Sequence, residues 1–351
     1  MEQKRIISID VLRAFAILSM IFGHTVAVLS AEQVRSSDFF PWVFHVYFSG
    51  LTAPVFFFAS GMIFTYLLFK SSDGFNKSRV IKGFKRTLYL IVAGFIIQIY
   101  LKSIANNPFG FLQYSHVLQC IALSILIINL LYIASAAKPK LFLILTFITA
   151  NFTFLISPFL KDLSLLSEKN VLSLFLSNSF TIFPLFPWAG FSLFGALFGL
   201  LTLKHTILKK QSALLFIFIF GLIMQQTAWY ALAGIYSGFV NYRELVNFNV
   251  FTYYRLGEVL MTYAFVTWLT HKIRIPEFLL IPGRETFAIY IVHNIVIYGA
   301  LFGIGYEIFL YRSLNFVQTT IVVILTLLGA ILFANVLTKA RKKYTYLKYF
   351  K

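Results

Sequence analysis

The feature that most constrains this chain is the recurrence, from end to end, of apolar runs close to twenty residues long. Two of them read "LFLILTFITANFTFLISPF" and "TTIVVILTLLGAILFANVL". A helix needs about 20 predominantly apolar residues to cross the hydrocarbon core of a bilayer. Only 12% of the 351 residues are charged, against about a quarter in soluble domains, so a large soluble domain has nowhere to fit. The expected fold is all-α: a polytopic membrane helix bundle of about ten transmembrane helices. Its spans lie near residues 11–30, 49–69, 88–104, 115–134, 141–158, 181–203, 212–234, 253–271, 286–304 and 315–337.

A net charge of +18 would ordinarily suggest nucleic acid, but its distribution points elsewhere. With the N-terminus cytoplasmic, the inner segments hold 22 of the 30 basic residues: Lys4 and Arg5, "KSSDGFNKSRVIKGFKR", "KPK", "KHTILKK", "HKIRIPEFLLIPGR" and "KARKKYTYLKYFK". The outer side holds six, Arg35, Lys102, Lys161, Lys169, Arg243 and Arg312, while Arg13 and Arg255 fall inside spans. That asymmetry follows the positive-inside rule and places both termini in the cytoplasm. The charge sets topology, and no nucleic-acid partner is expected.

The single cysteine, Cys120, lies inside an expected span, which leaves no disulfide or cysteine-based metal site. The first apolar run is read as a retained helix, because Asp10 and Arg13 interrupt its head and no small-x-small cleavage site follows. Without an internal repeat or low-complexity linker, residues 1–351 read as a single integral-membrane domain.

Ionisable side chains at membrane depth cost a few kcal/mol on insertion scales, so they usually face the bundle interior or a cavity. In "DVLRAFAILSMIFGH", Asp10, Arg13 and His24 fall on one stripe, with His24 roughly 16 Å along the axis from Arg13. "YYRLGEVLM" carries Arg255 and Glu258, three apart and so neighbours on a helix face. "TFAIYIVHNIVIYG" carries Tyr290, His293 and Asn294, and His45 stands at the outer mouth of the second span. Each has a structural reading. Asp10 and Arg13 can pair at the inner interface, Arg255 and Glu258 can lock one span to its neighbour, and His293 can satisfy a backbone carbonyl. His116, His205 and His271 sit at span ends beside loops and read as solvated.

His24 and His45 are the two histidines expected at the outer ends of adjacent spans, and imidazole is the side chain best suited to take and return a proton near neutral pH. The pattern alone fits an enzyme, a proton-coupled transporter or a ligand site. A Walker loop, a dinucleotide-type glycine turn, a zinc helix and a G-x-S-x-G elbow are all absent from the sequence. Any chemistry must therefore use an activated group brought from elsewhere. A secondary transporter for an anionic or sugar substrate should show repeat symmetry and mid-membrane helix breaks. Here "SGLTAP" and "PLFP" punctuate span ends. A glycan flippase without chemistry is the remaining rival.

The segment "RIISIDVLRAFAILSMIFGH" resembles the first helix of the transmembrane acyltransferases. The blocks "FHVYFSGLTAPVFFFASG", "SHVLQCIALSILI", "PLFPWAGFSLFGALFG" and "IPGRETFAIYIVHNIVIYG" are similar, in order, to the branch of heparan-alpha-glucosaminide N-acetyltransferase and its bacterial relatives. The resemblance runs from residue 5 to about 298. In that branch the catalytic His stands five residues before a Gly-Leu-Thr, a position that His45 occupies in "HVYFSGLT". His24 falls where the branch often has an Asn and where the wider O-acyltransferase family has its essential His. The acidic residue that follows the Gly-Leu-Thr in the heparan enzymes is missing from "GLTAPVFFF".

The resemblance implies an acyl-CoA-dependent enzyme that moves an acyl group, acetyl first among candidates, from a cytosolic donor to a hydroxyl or amine of an extracytoplasmic glycan or sugar. His45 is the expected catalytic residue, as general base or transient acyl carrier, and His24 assists. The alternative within the class is an O-acyltransferase of envelope polysaccharide led by His24. Asp10, Arg13, Arg86, Arg255 and Glu258 are the expected donor-binding residues, together with the basic Lys82 and Lys85. His293 and Tyr290 complete the polar core. The donor is acetyl-CoA or another acyl-CoA, with no permanently bound cofactor and no metal. Expected partners are the bilayer, the sugar acceptor and, as an option, a second copy of the chain. A bacterial inner membrane is the expected location.

Overall fold

The computed structural model describes residues 6–349 apart from 37, 71–73, 100–108, 161–170, 177–180 and 205–209. Lys4, Arg5, Lys102, Lys161, Lys169, His205, Lys209 and Lys351 lie outside the described residues, as does the side chain of Lys348. The helices are α1 (Ile7–Leu29), α2 (Phe40–Lys70), α3 (Lys77–Ile96), α4 (Val117–Ala134), α5 (Pro139–Leu160), α6 (Val171–Leu176) and α7 (Leu185–Lys204). They continue as α8 (Gln211–Tyr236), α9 (Tyr242–Lys272), α10 (Glu277–Arg284), α11 (Thr286–Tyr298), α12 (Tyr306–Leu310) and α13 (Phe316–Tyr349). Among the described residues, β pairing is confined to two isolated bridges, Ser30 with Leu314 and Ser115 with Thr181. Helices suit a lipid environment because a helix satisfies its backbone polar groups within one segment.

Seven helices among the described residues are long and apolar enough to cross a membrane: α1, α2, α4, α5, α7, α8 and α13. The sequence suggested about ten. The three that differ do so for visible reasons. The first half of α3 carries Lys77, Arg79, Lys82, Lys85 and Arg86, and α9 carries Arg243, Glu244, Arg255 and Glu258. The third, α11, has 13 residues, about 20 Å at 1.5 Å per residue, against a hydrocarbon core of about 30 Å.

The chain packs as two compact units. The first comprises Met1–Phe56, Ile97–Pro108 and Leu269–Lys351, and the second Phe57–Ile96 and Phe109–Trp268. In the second unit, Gly195 and Gly199 back onto the main chain of Phe58 and Met62, the small-residue contact by which membrane helices approach closely. Ser192 Oγ donates to the Phe57 carbonyl at 3.1 Å across the same seam. Asn249 Nδ2 donates to Tyr236 Oη at 2.8 Å, and that hydroxyl donates to the Leu155 carbonyl.

The first unit is organised around α1. At Gly283 the backbone of α10 lies directly on that of α1; a Cβ built there would sit 1.9 Å from the Asp10 carbonyl oxygen. Three side-chain bonds then join α1 to the α10–α11 segment at almost constant sequence separation: Asp10 with Arg284, Arg13 with Thr286 and His24 with Tyr298. Equal steps along both segments mean that α1 and α11 run parallel. The opposite sense holds for α13. Its start adjoins the end of α1 through the Ser30–Leu314 bridge, and later in the helix Asn335 donates to the Phe278 carbonyl and Arg341 to Glu285. The beginning of α1 and the later part of α13 therefore share one end of this unit. At the far end, Arg35 donates through Nε to the Ser30 carbonyl at 2.9 Å and also to the Ala27 carbonyl, occupying acceptors that the last turn of α1 leaves open.

Replacing Gly283 by Ala forces two main chains apart, so the Gly283→Ala variant should lose roughly 1–3 kcal/mol of stability. The check is a lower melting temperature in detergent. Gly329, in α13, has open space where its Cβ would go; Gly329→Ala should leave the melting temperature unchanged or raise it.

Candidate functional site

Two polar clusters lie at opposite ends of α1. Asp10 and His24 are 14 positions apart, about 21 Å along the helix. At the first end, Arg284 Nε donates to Asp10 Oδ2 at 2.7 Å, and Arg284 also pairs with Glu277. Arg13 donates to Thr286 Oγ1 at 2.7 Å. Glu285 accepts from Arg341 at 2.6 Å and lies 3.4 Å from Thr338 Oγ1. The sequence suggested that Asp10 pairs with or orients Arg13, whereas its salt bridge is to Arg284. The cause is the Gly283 contact, which sets the next residue beside Asp10, while Arg13 meets the first turn of α11. Arg284 was missed as a site residue. The signal was present in "IPGRETF", a glycine and an arginine heading a short apolar block, but the partner is distant in sequence.

At the other end stand the histidines. His45, in the first turns of α2, is buried at 4% exposure. Its Nδ1 lies 3.2 Å from Ser49 Oγ, one turn further on. Phe22 of α1 packs edge-on against the imidazole at 5.7 Å, and Trp42 covers it at 5.0 Å. The Arg35 guanidinium sits over Trp42, also at 5.0 Å, where a cation meets the negative face of the ring. His24 takes its partners from α11. Its Nδ1 is 2.6 Å from Tyr298 Oη, and its ring stacks on His293 at 5.6 Å with 26° between planes. Tyr290 lies 5.0 Å from His293, and Asn294 Nδ2 is 3.3 Å from a His293 ring nitrogen. Beside Tyr298, a core of Val28, Leu29 and Ile297 closes this end of the unit. Gly299, at φ 72°, terminates α11 in the left-handed conformation, which glycine adopts without steric cost.

The structure thus joins His24 to His293 and places Tyr290 against His293, three residues that the sequence singled out on two separate spans. His24 and His45 take partners other than each other. Their link is Gly23, where a Cβ would fall 2.8 Å from Ser49 Oγ, so the neighbour of His24 touches the residue that holds His45. Tyr298 was also missed. It lies five residues after His293 in "HNIVIYG", and only the parallel course of α1 and α11 makes it the partner of His24.

Arg255, Glu258 and Arg86, the remaining sequence-derived site residues, belong to the second unit. Arg255 donates to Glu258 Oε2 at 2.6 Å, with the two residues 5% and 3% exposed. Gln225 Nε2 approaches Glu258 Oε1 at 3.3 Å, and the guanidinium lies 4.6 Å from the Phe251 ring centre. A buried, mutually neutralising pair of this kind satisfies what the apolar interior requires of charged groups. Arg86 lies on the exposed, basic first half of α3. His116 opens α4, where its backbone N–H donates to Gln119 Oε1, and His271 is exposed near the end of α9. Among the described residues, no group of three or more His, Cys, Asp or Glu side chains is placed to hold a metal ion.

Residues 5–228 match the family model described as "Heparan-alpha-glucosaminide N-acetyltransferase, catalytic". A comparison with curated proteins finds no match. The matched stretch contains His24, His45, Asp10 and Arg13, while Arg284, His293 and Tyr298 follow it in the chain.

Glu258→Gln leaves the Arg255 guanidinium buried without its carboxylate and should cost about 3–5 kcal/mol, whereas replacing both residues by leucine should cost much less. Thermal unfolding of the two purified variants in detergent compares them directly.

Proposed function

The chain belongs to the heparan-alpha-glucosaminide N-acetyltransferase catalytic family, and from that premise we propose that it is an acyl-CoA-dependent membrane acyltransferase. It moves an acyl group, acetyl in the first instance, from a cytosolic acyl-CoA to a hydroxyl or amine of a sugar or glycan on the opposite side. The observation that carries this reading is the polarity of α1, with an arginine-rich cluster at one end and a group of imidazoles at the other.

Arg13 and Arg284 are assigned to the donor, because guanidinium groups bind phosphate oxygens in a planar, bidentate manner. Asp10 fixes Arg284 and keeps the cluster from being purely cationic. His45 is assigned as the general base. With Nδ1–H donated to Ser49 Oγ, its Nε2 lone pair removes the proton from the acceptor hydroxyl or amine. The acceptor's oxygen or nitrogen bonds to the thioester carbonyl carbon, the C–S bond breaks, and the CoA sulfur leaves with the proton from His45. Arg255 and Glu258 are given a structural role in the second unit.

A topology of about ten spans is part of the same proposal. The parallel course of α1 and α11 requires an odd number of crossings between them. Of the apolar helices, α2, α4, α5, α7 and α8 supply five, so α3 and α9 cross together or not at all. Ten spans take both, with α11 crossing as a short helix. Both termini then face the cytoplasm, where the positive-inside rule puts the basic segments, including Lys82, Lys85 and Arg86 of α3.

In proteoliposomes given radiolabelled acetyl-CoA and glucosamine as probe acceptor, the wild-type chain should produce labelled sugar. His45→Ala should lower the rate by about 10²–10⁴-fold, the usual contribution of a positioned base, while labelled acetyl-CoA still binds. Activity close to wild type would remove His45 from the mechanism.

A further inference from the structure

We propose that Tyr298 is a positioning residue that fixes the tautomer of His24, so that His24 meets the substrates as a hydrogen-bond donor and not as a base. This rests on the acyl-transfer reading for its consequence, and on geometry for its substance.

Tyr298 Oη and His24 Nδ1 are 2.6 Å apart, a short hydrogen bond between two side chains that can each donate or accept. A phenol O–H is more acidic than a neutral imidazole N–H, and a bare imidazole nitrogen is a better acceptor than a phenolic oxygen. The favoured arrangement therefore has Tyr298 donating to Nδ1, which leaves the His24 proton on Nε2. With Nδ1 taken, any bond from His24 to a substrate must come from Nε2, and that bond is a donation. His24 keeps part of its surface accessible while Tyr290 and His293 behind it are buried.

The surroundings hold this arrangement in place. His293 stacks on the imidazole and fixes its plane. Tyr298 is the last residue of α11 and is followed by Gly299 in the left-handed cap. In that cap the Ala300 N–H bonds to the Asn294 carbonyl at 3.1 Å. Tyr298 also packs at an edge against the ring that it bonds, 5.4 Å between centres at 74°. The phenol thus approaches His24 from a terminated helix end whose backbone is already satisfied.

The consequence is a division of labour between the two histidines of the matched family region. His45, whose Nδ1 faces a serine hydroxyl, is left as the base. His24 supplies an N–H to an oxygen of the acyl group or the acceptor. An O-acyltransferase mechanism led by His24 as base is incompatible with this tautomer.

The test uses the full chain in lipid bilayers, labelled with ¹⁵N-histidine and observed by solid-state NMR. The His24 signal is identified by its loss in His24→Gln. In the wild type it should show a neutral ring protonated at Nε2 and bare at Nδ1. In Tyr298→Phe, which removes one oxygen atom, that preference should be lost. Acetyl transfer to glucosamine should then fall about tenfold in kcat, the worth of one hydrogen bond, with KM for acetyl-CoA little changed. A wild-type His24 protonated at Nδ1, or a tautomer indifferent to Tyr298→Phe, overturns the proposal. The wild-type spectrum decides the first point even if the variant fails to fold. Absence of acetyl transfer from the wild type, with the expected tautomer present, would sink the acyltransferase reading and leave the positioning of His24 standing.

Discussion

The first unit depends on one close approach, the backbone of Gly283 against that of Asp10. Once α10 lies directly on α1, the next residue, Arg284, falls beside the Asp10 carboxylate, and α11 continues along α1 in the same direction. The rest of the register is geometry: two parallel helices of equal rise bring Arg13 to Thr286 and His24 to Tyr298. A bulkier residue at 283 would displace the origin of this alignment, and every later pairing would shift with it. Because the two helical segments of this alignment lie far apart in the sequence, the polar groups on either side are completed only when both have come together.

The bilayer explains why so few polar groups carry so much of the architecture. In a low-dielectric interior an ionisable side chain without a partner is costly, so each is found in a specific arrangement. Arg255 and Glu258 neutralise each other within a single helix turn. Asp10 and Arg284 do so across two helices. The histidines are different in kind, since a neutral imidazole needs only hydrogen-bond partners and a fitted apolar surround. Ser49, Tyr298 and the aromatic rings of Phe22 and Trp42 supply these. An imidazole held this way can offer a substrate a hydrogen bond or, as proposed for His45, take its proton, whereas a locked ion pair has no such freedom. That contrast separates the cluster assigned to chemistry from the pair assigned to packing.

The family match ends at residue 228, yet Arg284, Thr286 and Tyr298, which bond Asp10, Arg13 and His24, lie beyond residue 280. The candidate site of the first unit is therefore shared between a stretch with a recognisable family pattern and one that meets it through contacts. His45 differs, since its hydrogen-bond partner lies one turn away on the same helix and could be read with it in "HVYFSG". The sequence also suggested about ten crossings, where seven helices among the described residues meet the length and polarity requirements. Length and charge are local properties, but a short or charged helix can be accommodated in a membrane protein when neighbouring helices cover its polar face.

By itself, the sequence determined that this is a helical membrane protein, because the apolar runs leave no other solution in lipid. It also placed Asp10, Arg13 and His24 on one stripe, since the helical repeat converts spacing directly into direction. Tertiary structure alone decided which groups those residues face. Arg284, His293 and Tyr298 reach α1 only because two backbones touch at a glycine and then run side by side, and no periodicity within either segment encodes the register between them.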